Sequence, residues 1–227
     1  MRQPSIIRTW NRNAADEEAM GAAHAPIWRR MIDVSVYEDL RHSTVLDYGC
    51  NQGGFLRMLY DRHPFKAATG IDIARDSVDR AELLKGQRPI DYRVSESAGA
   101  LGLTFDFAFS HEVLYLLPDL AAHASDIKAA LKPGGTYVAA MGCHKDSALW
   151  PHWRKLIAET SSIPLHDHSL DSVAKAFSDA GFHVGVRPLD LDAFMPVTVG
   201  NEYFPKVVDQ LRYYSQDKVL FRFVRAP

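Results

Sequence analysis

The 227-residue chain has only two cysteines, Cys50 and Cys143, too few for a disulfide framework. A reduced compartment is therefore expected. No apolar run approaches the length needed to span a bilayer. The opening stretch MRQPSIIRTWNRNAADEE lacks the apolar heart of a secretion signal. Charge of one sign is also missing: 26 basic and 28 acidic residues leave a formal net charge of -2. The basic residues are scattered, so composition gives no footprint for a polyanionic partner. Neither internal repeats nor low-complexity linkers are present. These absences together predict a soluble, cytoplasmic protein with no membrane or nucleic-acid partner. With 47% hydrophobic residues the chain has material for a real core, and its length suits a single domain.

From Val45 onward, short β-rich runs alternate with amphipathic helical stretches. Strands are predicted over 44–47, 68–73, 91–94, 105–110, 136–141, 183–188 and 219–224. Helices are predicted over 54–60, 76–84, 119–131 and 169–180. The third of these stops at the turn sequence KPGG, and the last is capped by Ser169 and closed by Gly181. This alternation predicts an α/β fold, a mostly parallel sheet covered on both faces. Residues 1–43 read as a helical cap broken at Pro26. Residues 190–217 form a long insertion before the final strand, of the kind that often serves as a lid or binding element.

The stretch VLDYGCNQGGF, residues 45–55, carries a strand into a glycine turn and then a helix, the usual setting for a ligand held at a helix N-terminus. A dinucleotide fingerprint needs glycine at its first, third and sixth positions; here these are Gly49, Asn51 and Gly54. Asn51 can take the left-handed backbone the turn requires, but its amide hinders close approach of a pyrophosphate. Asp47 would repel phosphate and welcome an ammonium. Asp72, ending the second strand in TGIDIARDS, is well placed to accept hydrogen bonds from both hydroxyls of a ribose. A ligand with an amino-acid end, a ribose and no phosphate is S-adenosylmethionine.

These segments resemble the class I S-adenosylmethionine-dependent methyltransferases. LDYGCNQGG is similar to that family's D-x-G-x-G-x-G loop, with Asn51 replacing the central glycine. GIDIARDSVDRA resembles its ribose-binding strand and helix, FDFAFSHEVLYLLPDL its fourth strand, and LKPGGTYVAAMG its fifth. The resemblance spans residues 45–142, nearly half the chain. It implies a Rossmann-like, doubly wound, seven-stranded sheet with a reversed last strand, for which KVLFRFVRAP is suited. On this reading residues 44–142 form the cofactor core and 143–227 the substrate-side half.

Residue by residue, the resemblance implies that Tyr48, Gly49, Cys50, Asn51 and Gly53 line the methionine end, with Asp47 organising its amino group. Asp72 would hold the ribose and Ile73 would pack on the adenine, with Glu96 or Ser97 near the adenine amino group. Ser110 and His111 would flank the sulfonium, and Trp10 would close over the cofactor. His111 and His144 are the candidate general bases for an oxygen acceptor. No metal is expected; HDH at 166–168 reads as the polar approach to the helix capped by Ser169. The fourth strand continues as SHEV rather than the D/N-P-P-Y of amide-nitrogen methylation, and neither cysteine follows a proline as cytosine methylation would need. A small, partly apolar, ring-bearing acceptor is the expectation. A non-catalytic S-adenosylmethionine-binding protein and an NAD-dependent oxidoreductase stand as alternatives.

Overall fold

In a computed structural model the described residues are 7–11, 13–191, 194–197 and 200–227. Seven strands form one sheet: β1 Thr44–Tyr48, β2 Ala67–Asp72, β3 Ile90–Val94, β4 Phe105–His111, β5 Leu131–Met141, β6 Phe182–Pro188 and β7 Val219–Arg225. Their spatial order is β3-β2-β1-β4-β5-β7-β6. β1 pairs in parallel with both β2 and β4, whereas β7 runs antiparallel to β5 and β6. The order reverses direction between β1 and β4, which opens a crevice at the C-terminal ends of those strands.

Two apolar layers cover the sheet. On one face, α1 Ala14–Ser35, α2 Gly54–Arg62 and α3 Arg75–Leu84 pack Ile27, Met31, Phe55, Leu59 and Val78 against Val45, Phe109 and Val138. On the other, α4 Leu120–Ala130, α5 Trp150–Thr160 and α6 Leu170–Asp179 bury Ile127, Trp153 and Phe177 against Tyr137, Phe221 and Phe223. α6 begins with a reciprocal cap: Ser169 accepts from Ser172 N, and Ser169 N donates back to Ser172 Oγ.

Two expectations about boundaries are corrected. Pro26 does not break the N-terminal helix, because α1 runs uninterrupted through it. Ala22, Ala23 and Pro26 are exposed, so water can satisfy the carbonyl that Pro26 leaves without its N–H partner. The KPGG turn lies inside β5 rather than between elements. Leu131 already pairs with Phe105, and the register shifts before Phe107 meets Thr136. Within the insertion, α7 Val207–Arg212 widens into a π-type turn, Tyr213–Asp217, just ahead of β7.

Candidate active site

A cavity of about 1760 Å³ lies at the β1/β4 crevice. The β1–α2 turn brings Gly49, Cys50 and Asn51 to the cavity floor, and every second residue of the turn is left-handed: Gly49 at φ 77°, Asn51 at φ 46° and Gly53 at φ 73°. The turn is therefore built as the sequence suggested, with asparagine taking the central glycine's conformation. A Cβ on Gly49 would lie 2.5 Å from Val113 Cγ2, so only glycine lets the post-β4 segment approach the turn.

Two carboxylates flank the turn and differ in their partners. Asp72 is fully engaged, Oδ2 accepting from Asn51 N and Oδ1 from Ala74 N, both at 2.9 Å. It therefore fastens the turn to the end of β2. Asp47 is buried with Oδ2 unpartnered. Burial, followed by the neighbouring Asp72, pushes its carboxyl up to about 8. The Asn51 Nδ2 donor is likewise buried and unpartnered, while its Oδ1 accepts from Gln52 N at 2.6 Å.

The structure brings Trp10, Asp47, Tyr48, Gly49, Cys50, Asn51, Asp72, Ile73, Glu96, Ser97 and His111 to the cavity wall. Three other candidates are not among its lining residues. Gly53 caps α2 and packs on the Tyr92 phenol. Ser110 points into the opposite layer from His111, where its hydroxyl shares a 2.6 Å hydrogen bond with Tyr137 and is buried away from the cavity. His144 is buried with Nε2 on the carbonyl of Asp217 at 2.7 Å, tying the post-β5 loop to the turn before β7. His168 bonds the Leu117 carbonyl in the approach to α6. Among the described residues, no cluster of three metal-ligating side chains occurs.

Several cavity residues were not singled out from sequence. Trp28 on α1 donates to His111 Nδ1 at 3.2 Å, and His24, one turn earlier, packs edge-on to the same imidazole. Glu112, at φ 54°, accepts from Lys218 Nζ at 2.5 Å and from Cys143 N at 3.3 Å. Tyr213 completes this group, its hydroxyl 3.4 Å from Glu112 Oε1. Tyr213 reads in sequence as an insertion aromatic that either lines a pocket or packs; nothing flagged its partners Glu112 and Lys218, since β4 and β7 meet only in the fold.

An N-terminal strap crosses the cavity. Arg75 N and Asp76 N donate to the carbonyls of Ile7 and Arg8, and on the far side Ser162 N donates to the Trp10 carbonyl at 3.1 Å. Glu17, 1% exposed, anchors it from beneath by accepting from Trp10 N at 3.0 Å and Ser77 Oγ at 2.6 Å.

Residues 13–185 match a family profile described as a methyltransferase domain. The chain belongs to the class I S-adenosylmethionine-dependent methyltransferases. S-adenosylmethionine is the cofactor of this class, and the observed strand order with β7 reversed is that of the methyltransferase fold. A ubiquinone biosynthesis O-methyltransferase from Paramagnetospirillum magneticum is 37% identical over 48% of the chain and 44% of its own length. A tRNA U34 carboxymethyltransferase from Nautilia profundicola is 27% identical over 73% of the chain and 58% of its own length. The chain thus spans about half the length of these curated relatives. Among solved structures, the methyltransferase in complex with the Haloferax volcanii Trm112 activator superposes with a TM-score of 0.78 at 23% identity, covering 94% of this chain and 95% of its own. No helix of the described residues is long and apolar enough to cross a membrane.

Proposed function

We propose that this methyltransferase passes the methyl group of S-adenosylmethionine to a small, partly apolar acceptor held in the same cavity. The observation that carries the cofactor assignment is the orphaned Asp47 oxygen beside a glycine turn. A buried carboxyl without a partner is costly, and an ammonium supplies both the missing hydrogen bond and the missing charge. Asp72 presents its remaining lone pairs to a ribose diol while its backbone bonds hold it still. Gly49 lets Val113 close against the turn, which keeps the turn's backbone at the cavity floor. Ile73 offers an apolar surface to a purine, with Ser97 beyond it. Asn51 presents an unpaired amide where a pyrophosphate would need bare backbone, which argues against a dinucleotide.

The cofactor, when bound, supplies a methyl carbon activated by a positive sulfur. The chain's own residues must align an acceptor lone pair with that carbon and keep water away. The strap over residues 7–11 and the insertion do the latter. A single-ligand pocket is about 300–1,000 Å³, so a cavity of about 1760 Å³ has room for two molecules. Its second half is lined by Trp28, Trp153, Phe204 and Tyr213, which suits a ring-bearing small molecule better than a nucleic-acid backbone. His144 takes no part, being committed elsewhere.

Calorimetric titration tests the cofactor assignment: S-adenosylmethionine and its demethylated product bind, and NAD binds much more weakly. A preference for NAD overturns it. Incubation with labelled methyl donor and fractionated cell extract tests the acceptor, with label expected in the small-molecule fraction; label confined to RNA or protein would refute a small acceptor.

A further inference from the structure

The cluster formed by Glu112, Lys218 and Tyr213 has no place in holding the cofactor, yet it lines the same cavity. β4 and β5 end at the crevice and β7 begins there, because β7 is reversed: Val219 pairs with Met141 at the end of β5. That reversal sets Lys218 beside Glu112 and Cys143. The ammonium is sunk, its side chain 1% exposed, whereas the Glu112 side chain is 12% exposed. The carboxylate is thus the half of the pair that a ligand meets, with the lysine behind it. Glu112 pays a left-handed backbone, φ 54°, to stand there. Its Oε2 accepts a long 3.3 Å bond from Cys143 N and keeps further acceptor capacity.

Resting on the methyl-transfer reading above, we infer that Glu112 is the catalytic residue that receives the acceptor's proton, that Lys218 is its positioning residue, and that the acceptor is a neutral hydroxyl on an aromatic ring. In this step the O–H bond breaks and its proton goes to Glu112. The oxygen lone pair forms the O–CH3 bond, and the C–S electron pair leaves with sulfur. Three features select this acceptor. The Glu112–Lys218 pair is already neutral, so an ammonium would bring an uncompensated second cation beside Lys218. The same lysine, after burial itself, helps hold His24 and His111 uncharged. Burial works against ionisation, but Lys218 holds the Glu112 carboxyl below its usual range, so it is a weak base that can serve a ring hydroxyl more readily than the far less acidic aliphatic alcohol. The facing groups from every neighbouring element are accounted for: His24 from α1, His111 beside it, Cys143 after β5, and Tyr213 and Tyr214 before β7. Burial holds the histidines neutral and pushes the thiol and both phenols up, so all stay uncharged.

The test is a panel of one- and two-ring phenols with matched benzylic alcohols and amines, assayed with labelled methyl donor and the full chain. Label is expected on phenols. Glu112→Gln, which still accepts from Lys218, is expected to lower kcat by about 100-fold or more while leaving donor affinity unchanged. Lys218→Met is expected to move the acid limb of the pH–rate profile upward, and Lys218→Arg to restore it, which a purely structural lysine would not do. Should Lys218→Met fail to fold, Glu112→Gln and Lys218→Arg decide alone. Transfer to amines or alcohols in preference to phenols, no transfer to any phenol, or an unchanged kcat in Glu112→Gln overturns the inference. Donor binding measured alongside separates the two readings: if the donor binds and phenols are inert, only this inference falls; if the donor fails to bind, the methyl-transfer reading falls too.

Discussion

Trp28 donates its indole N–H to Nδ1 of His111 at 3.2 Å. An indole can only donate, so the imidazole carries its own proton on Nε2. Burial, then Lys218 and His24, holds the ring well below the usual histidine range. The expected general base is thereby replaced by a neutral donor: accepting a proton at Nδ1 would break the Trp28 bond. Nitrogen-15 NMR should show the neutral Nε2–H form of His111 from about pH 5 to 8. Trp28→Phe should abolish that preference for one tautomer. A titration midpoint near the ordinary histidine value in the unmutated protein would contradict this assignment.

With the cofactor's ammonium seated beside Asp47 as proposed, cofactor binding is expected to release a proton. The folded Asp47 pKa of about 8 lies above its ordinary value of 3.8, so the ligand-free protein holds it protonated at neutral pH. Stability from this group is fully present below the ordinary value and declines as pH rises toward 8, because the unfolded chain ionises first. An arriving ammonium favours the carboxylate and expels the proton. Calorimetry in buffers of different ionisation enthalpy should register that release at pH 7. Asp47→Asn should eliminate it, weaken binding, and flatten the fall of Tm between pH 5 and 8.

Gly49→Ala is expected to disable the site. The added methyl would meet Val113 Cγ2 at 2.5 Å, on a backbone at φ 77°. The cost should be about 1–3 kcal/mol of stability, with a larger loss in cofactor affinity because the turn must shift. Thermal unfolding and titration on one sample check both; a variant of normal affinity would show that the turn tolerates a side chain.

Glu17→Ala should loosen the strap without dissolving the fold. It removes the acceptor for Trp10 N and leaves the Ser77 hydroxyl without its buried partner. A loss of about 1–3 kcal/mol is expected, together with faster protease cleavage before residue 13 and faster cofactor release. Glu17→Gln, which retains an accepting oxygen, should recover part of both. Stopped-flow release and limited proteolysis provide the measurements.

The strands and the left-handed glycine turn after β1 were legible because both depend on neighbours in sequence. Short β-rich apolar runs mark strands buried on both faces, and a glycine–asparagine–glycine turn records its own backbone needs. Asp47 and Asp72 sit at strand ends, where topology alone brings them together. Ser110 misled because its hydroxyl is taken by Tyr137 in the opposite layer, a partner that sequence does not reveal. His144 is a histidine whose use is structural, and only its bond to Asp217 reveals that. Pro26 was read as a break because sequence does not tell that the carbonyl it deprives faces water. Glu112 and Lys218 are 106 positions apart; no local pattern joins a residue after one strand to a residue before another, so their pairing waited for the fold.

The proposed donor-side residues Asp47 to Asn51 and Asp72 stand at the ends of β1 and β2, while Glu112 and Cys143 follow β4 and β5 and Lys218 precedes β7. The crevice between β1 and β4 is therefore also a boundary of inheritance. Substitutions on the far strands can retune which compound is modified while the machinery that grips the donor stays intact, so one scaffold can be redirected to new chemistry by changing only one of its banks.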